Sequence, residues 1–305
     1  MAERTKIIDI PNRRSSHDIP TIKGGGIVFY FALILFFIFS QFDYPWFFAG
    51  ITVVTLLSMI DDIRHVPFYY RMAAHFVAVT FLMHELSLFV GNEVWYIALV
   101  MIISSGIVNA YNFMDGINGM TGLYSLVALI TFWWYNKMVD TFVDGRLILF
   151  IIVGVLVFLF YNLRTKARTF AGDVGAVSIA FIIIFFLMQL INLKQNVIFI
   201  LFLSVYGVDT VLTIFIRIFN KENIFQAHRS HLYQILVHNG GMSHIRVSAY
   251  YAIAQGVINV LVISVADQRT SIQIAYALMI LLVLAVNYTV LRIRYTRYIT
   301  KEASN

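Results

Sequence analysis

Stretches of about twenty mostly apolar residues, separated by short polar segments, recur from residue 24 to residue 291. The pattern predicts ten spans: 24–42, 45–60, 71–90, 94–111, 119–138, 146–163, 174–191, 197–218, 246–266 and 272–291. The runs are rich in Phe, Ile, Leu and Val and show no alternation of apolar and polar positions, which a membrane-spanning strand would require. Only helices and closed barrels satisfy every backbone group in lipid. The expectation is therefore an all-α, polytopic integral membrane protein with about ten transmembrane helices.

Composition makes the membrane reading firm. Hydrophobic residues are 60% of the 305 and charged residues 12%, and mean hydropathy is +0.80. A soluble domain is about a quarter charged and about half apolar, so a water-soluble globule is excluded. There is no cysteine, which excludes disulfides and thiolate metal sites. The opening MAERTKIIDIPNRRSSHDIP has no apolar core, against a cleavable signal peptide. No second soluble domain or low-complexity linker is evident. The chain reads as one transmembrane domain, 1–305, with a polar lead-in (1–23) and a basic tail (292–305).

Charge gives orientation. With the N-terminus inside, the outer loops carry only Lys137, Arg146, Lys194 and Arg269 of the 22 basic residues. The positive-inside bias puts both termini in the cytoplasm and supports an even number of spans. The net charge of +6 thus belongs to inner span ends facing the bilayer, and makes no case for nucleic acid. The tail RIRYTRYITK reads as a stop signal pairing with anionic lipid, with a catalytic element as the alternative.

In this topology the polar clusters collect on the cytoplasmic face, in five segments. RRSSHDIPTIKGGG (13–26) sets three glycines beside Arg14, His17 and Lys23, allowing close backbone approach to a phosphate, or simply a flexible lead-in. DDIRHVP (61–67) ends the second span with Asp61 and Asp62. Adjacent acids at a lipid boundary are costly unless solvated, paired or metal-bound. NAYNFMDGINGMTG (109–122) repeats polar residues every third position, Asn109, Asn112, Asp115 and Asn118, between glycines. That suits an opened helix end holding a polar ligand, or a packing motif. RTKARTFAGDVGAV (164–177) runs from Arg164, Lys166 and Arg168 through Phe170 to Asp173. This acid suits either a helix N-cap or a site for phosphate and a divalent cation. HRSHLYQILVHNGGMSH (228–244) places His228 and His231 three apart, on one face of a helix. Zinc or a plain surface would fit, but Arg229 and the absence of cysteine favour an anion. Asp209, inside the eighth span, reads as a functional acid or as a helix-packing partner.

These strings, with GMSHIRV after the last, resemble the polyprenyl-phosphate N-acetylhexosamine-1-phosphate transferases, the family of the cell-wall phospho-N-acetylmuramoyl-pentapeptide translocase. The motifs run in family order from about residue 9 to residue 247. The forms RSSH…GGG and HRSHLYQ are most similar to the bacterial members that start O-antigen or capsule synthesis. The resemblance implies a fold of membrane helices in the bacterial inner membrane, with the active site facing the cytoplasm. It also implies transfer of a 2-acetamido-sugar-1-phosphate from a UDP-sugar to undecaprenyl phosphate, releasing UMP with Mg²⁺ (or Mn²⁺) as cofactor. By matching position, Asp173 is the expected metal ligand and Asp61 and Asp62 the acidic pair, with Asp61 deprotonating or orienting the carrier phosphate. Asn112, Asp115 and Asn118 take nucleotide and metal, Asp115 being the second expected metal ligand. Phe170 stacks on uracil. His228, Arg229 and His231 hold the pyrophosphate or sugar end, and Lys23, Arg14 and His17 are further phosphate contacts.

Three positions depart from the family pattern. Relatives carry one further span before IDIPN, so this chain either lacks a first helix or works with ten. Asn118 stands where many have Asp, and Ile235 where Arg is common. Which sugar is carried and the oligomeric state, a homodimer among the options, are left open. The rival readings are a transporter of a phosphorylated metabolite or lipid, for which only Asp209 speaks, and a non-catalytic scaffold.

Overall fold

Lipid offers the backbone no hydrogen-bond partners, so long apolar runs close their own bonds as helices. In the computed structural model the residues described are 8–11, 19–91, 93–223 and 229–302, with side chains described to residue 296. They contain two short strands, β1 (Ile8–Asp9) and β2 (Thr21–Ile22), and eleven α-helices. The helices are α1 (Ile27–Phe39), α2 (Pro45–Ile63), α3 (Phe68–Glu85), α4 (Val94–Met114), α5 (Met120–Met138), α6 (Gly145–Asn162), α7 (Gly172–Lys194), α8 (Ser204–Phe219), α9 (Leu232–His238), α10 (His244–Val265) and α11 (Thr270–Glu302). Each predicted interval holds a helix, and the protein is a polytopic helical membrane protein. Among the described residues, seven helical segments are long and apolar enough to cross a bilayer: 45–63, 94–114, 145–162, 172–194, 197–219, 244–265 and 270–296. With 13 residues, α1 reaches only about 20 Å.

The bundle is built around α7, in which every residue from Val174 to Leu187 is buried. A helix apolar all round belongs in a core. Around it, α2 packs on α3 and α7, α5 on α6 and α10, and α1 on α6. Between helices in lipid, close packing takes the place of water exclusion, and small residues bring backbones together. Gly26 faces Gly175 with no room for a Cβ on either side, and a Cβ on Gly50 would stand 2.9 Å from Ala78 O. At the periphery, α11 shows Leu278, Leu282, Val283 and Val286 outward.

Two features depart from the pattern. The eighth span is not one continuous α-helix: residues Val197–Leu203 form a 3-10 segment before α8. Gln255 of α10 fills the break, its Nε2 donating to Leu201 O at 2.8 Å and its Oε1 accepting from Val205 N at 3.0 Å. A helix junction that loses backbone bonds in lipid is tolerated where a neighbour restores them. The other is the antiparallel pair β1–β2, with Ile8 opposite Ile22 and Asp9 opposite Thr21. These pieces are too short for hydrophobic periodicity to reveal.

Candidate active site

The chemistry-bearing residues come together at one end of the bundle. Pro67 ends the α2–α3 turn and caps α3, folding residues 64–67 back over the end of α2. There Asp61 Oδ1 accepts the Val66 N–H at 2.6 Å and Oδ2 accepts Arg71 Nη1 at 2.8 Å. Arg71 also lies 3.7 Å from Asp173 Oδ2. Asn112, at the end of α4, completes the group: with its amide turned to suit both neighbours, its nitrogen donates to Asp173 Oδ1 at 3.0 Å and its oxygen accepts from Arg71 Nη2 at 3.2 Å. Asp62 turns the other way. Its carboxylate accepts the backbone N–H of Asp173 at 3.1 Å and of Val174 at 3.0 Å, capping α7 from α2. Asp115 follows α4, its Oδ1 accepting the Thr121 hydroxyl at 2.6 Å. Burial pushes the Asp115 carboxyl up to about 6, the Thr121 bond opposing and the nearby Asp62 adding.

Beside this cluster lies a cleft of about 780 Å³, lined by Asn118, Lys166, Arg168, Phe170, Ser243 and His244 together with residues 19–22. The segment after β2 is strapped to the loop before α7. Phe170 N donates to Ile22 O, Gly25 N to Phe170 O and Gly26 N to Ala171 O, at 2.9–3.1 Å. The Gly25 and Gly26 amides are thus engaged by protein. Asn118 is buried, donating to Arg164 O at 2.7 Å. Asn162 binds both sides of this turn, accepting from Gly119 N at 2.7 Å and donating to Thr169 O at 2.8 Å. Lys23 lies 3.6 Å from Asp9.

A third polar group joins α8 to α11. Asp209 Oδ1 accepts from Leu232 N at 3.0 Å and lies 3.2 Å from His231 Nδ1, while Oδ2 accepts the Tyr251 hydroxyl at 2.6 Å. His231 is the N-cap of α9 and is buried. Arg292 donates to Ser230 O and to the Tyr288 hydroxyl, so the tail helix braces the loop.

The structure thus groups Asp61, Asp62, Asp173, Asn112 and Asp115 closely. It places Asn118 and Phe170 in the neighbouring cleft and His231 on the α8–α9 hub. Arg14, His17 and His228 lie outside the described residues, and Arg229 stands at the edge of that gap. Sequence reasoning missed Arg71, which hides in the run FYYRMAAHF as one more inner-end basic residue. It missed Asn162 and Tyr251 because a single polar residue in an apolar helix shows no pattern until its partner is in place, and it read Arg292 only as part of the basic tail. Among the described residues no three His, Cys, Asp or Glu side chains form a ready metal cage. A hard cation such as Mg²⁺ needs only one or two carboxylates, with water and substrate phosphate completing its shell. Asp173 fits that use, its side chain 32% exposed where that of Asp61 is 4%.

The fold and cluster define a polytopic membrane protein with a charged site at the helix ends on one side. Residues 44–191 match glycosyl transferase family 4, and this stretch contains Asp61, Asp62, Arg71, Asn112, Asp115, Phe170 and Asp173. The chain is 26% identical over 260 residues to the probable undecaprenyl-phosphate N-acetylglucosaminyl 1-phosphate transferase of Bacillus subtilis (strain 168), covering 78% of this chain and 71% of that protein. It is 27% identical over 172 residues to the phospho-N-acetylmuramoyl-pentapeptide-transferase of Thermotoga neapolitana, covering 51% and 56%. To the undecaprenyl-phosphate alpha-N-acetylglucosaminyl 1-phosphate transferase of Thermotoga maritima it is 28% identical over 185 residues, covering 57% and 54%. The chain therefore spans little more than half the length of the two Thermotoga relatives.

Proposed function

We propose that the chain transfers a 2-acetamido-sugar-1-phosphate from a UDP-sugar to undecaprenyl phosphate at the cytoplasmic face of a bacterial inner membrane. The product is a polyprenyl-diphosphate-linked sugar that starts a surface glycan such as O-antigen or capsule. The observation that carries the reading is the Asp61–Arg71–Asp173–Asn112 group beside a cleft with Phe170 and two basic side chains. The relatives support it through the lipid phosphate and sugar phosphate in their names.

An oxygen of the carrier phosphate bonds to the β-phosphorus of the UDP-sugar. The bond from that phosphorus to the bridging oxygen breaks, and its electron pair leaves with UMP. One phosphoanhydride replaces another, so the barrier is chiefly the approach of two anions. Catalysis then rests on positioning and charge neutralisation. Arg71 presents positive charge to the incoming phosphates, held in place by buried Asp61. Phe170 offers a stacking face in the cleft, and Lys166 and Arg168 attract the nucleotide phosphates. A Mg²⁺ ion held by Asp173, with Asp115 as the second candidate, would neutralise charge on the diphosphate. Asp209, which a transporter would set on a translocation path, is engaged by four donors within the protein.

The test is UMP release by purified protein given undecaprenyl phosphate, Mg²⁺ and a panel of UDP-2-acetamido sugars. Release that depends on the lipid is expected, and the preferred donor names the sugar. Lipid-independent release, or none from any donor by folded protein, counts against the reading.

A further inference from the structure

Asp209 is a buried acid within a membrane-spanning helix. Such a group is costly there and persists where it has work to do. Its side chain is 3% exposed, and its two oxygens gather donors from three helices. Thr213, one turn along α8, donates to Oδ1 at 3.1 Å. His231 and Leu232 approach from the start of α9, and Tyr251 from α10. Helix packing alone would be served by a neutral amide or hydroxyl at lower desolvation cost.

The same contacts run on toward the acid cluster. One residue past Leu232, Tyr233 is buried, and its hydroxyl donates to Phe113 O at 3.0 Å. Its ring lies against Gly116, leaving no room for a Cβ there. Phe113 and Gly116 flank Asp115, and Asn112 directly precedes Phe113. A carboxylate on α8 therefore fastens α9, and α9 fastens the turn that carries Asn112 and Asp115. On the other side, Arg292 of α11 holds Ser230 O and the Tyr288 hydroxyl, which in turn lies 2.8 Å from Thr213 Oγ1.

We propose that Asp209 is a positioning residue for the transfer reaction. Through His231, Leu232 and Tyr233 it sets the geometry of the Asn112–Asp115 turn, while touching no substrate itself. The inference rests on the proposed transferase activity. A hydrogen-bonded imidazole takes the tautomer its partner dictates, so the carboxylate of Asp209 also selects an Nδ1–H on His231.

The experiment compares wild type, Asp209→Asn, His231→Ala and the double variant. It measures lipid-dependent UMP release, donor KM, and thermal unfolding in detergent. Asp209→Asn keeps the shape and can still accept from Leu232 N, so it is expected to fold with a wild-type melting profile. Its kcat is expected to fall by about tenfold or more, with donor KM nearly unchanged, since misplacing a catalytic group by about 1 Å can cost about a hundredfold. The double variant is expected to be no slower than His231→Ala, because residues acting along one chain of contacts are not additive. Tyr233→Phe, which removes the bond to Phe113 O, is expected to show the same loss of kcat with donor KM retained. If Asp209→Asn turns over like wild type, or loses activity only in step with loss of folded protein, the inference is overturned. Additive losses in the double variant overturn it too. Absence of UMP release by wild type overturns the transferase reading itself, and this inference with it.

Discussion

The Asp62 carboxylate, on the last turn of α2, accepts the backbone N–H groups of Asp173 and Val174 on the first turn of α7. Two acids adjacent in sequence therefore have different work. Asp61 holds a guanidinium, while Asp62 closes a helix end from another part of the chain and so aims the side chain of Asp173. A negative group at a helix N-terminus satisfies orphan N–H donors and favours the positive end of the helix dipole.

Removing this cap should cost stability as well as activity. Asp62→Ala is expected to destabilise the protein by about 0.5–2 kcal/mol, the range for loss of a helix cap, and to slow transfer. Asp62→Asn retains acceptor capacity and should lie between Ala and wild type in both respects. Thermal unfolding in detergent, read alongside UMP release, checks the order. Equal melting of all three proteins would remove the capping role.

Gly172 makes this approach geometrically feasible. It sits at φ +71°, and a Cβ there would stand 2.6 Å from Asp62 Oδ2 and 2.9 Å from Gly24 N. Gly172→Ala should displace Asp62 from the helix end and reduce turnover on the order of a hundredfold, the cost of a small misplacement at a site. Gly207, within α8, has open space around a built Cβ, so Gly207→Ala is the matched control and should leave turnover unchanged.

Arg71 and Asp173 test the charged group directly. Lysine carries the charge of arginine without its planar fork, and so cannot meet Asp61, Asp173 and Asn112 together. Arg71→Lys is expected to lower kcat by about tenfold or more while the protein stays folded. Asp173→Asn should abolish lipid-dependent UMP release, as should excess chelator on wild type. Full activity in chelator would remove the divalent cation from the reaction, and near-normal turnover of Asp173→Asn would remove this residue from the cation's shell.

The opposite end of the bundle carries a cap of its own. Asp144 caps α6, accepting from Arg146 N at 2.8 Å. The Arg146 side chain holds its carboxyl below the usual range, with the backbone bond helping and partial burial opposing. A carboxyl with a lower pKa in the folded state adds stability above its unfolded pKa, and that stability is lost as pH falls through the folded value. Wild type should therefore lose part of its melting temperature below about pH 4. Asp144→Ala should start about 1 kcal/mol lower and show a shallower acid decline. Parallel curves for the two proteins would contradict the cap's contribution.

Hydrophobic pattern alone located every described helix but the short α9, which falls between the predicted spans 197–218 and 246–266, because a lipid-facing run of apolar residues closes its backbone bonds as a helix. The same logic marked the polar segments around Asp61, Asn112 and Asp173: acids and amides at helix ends stand out against an apolar background. The partners of those residues were a different matter. Nothing in the run 68–76 distinguishes Arg71 from any interfacial arginine, and Asp209 reads equally as a transport acid or a packing residue. The roles of Asp61 and Asp62 separate only when the end of α2 meets the start of α7, 111 positions on from Asp62. Likewise, the 3-10 segment before α8 depends on Gln255 of α10 to satisfy its freed backbone groups. Periodicity reports what a residue prefers as its solvent, which is local information. Which donor meets which acceptor depends on how helices distant in sequence pack around α7, and only the tertiary structure decides that.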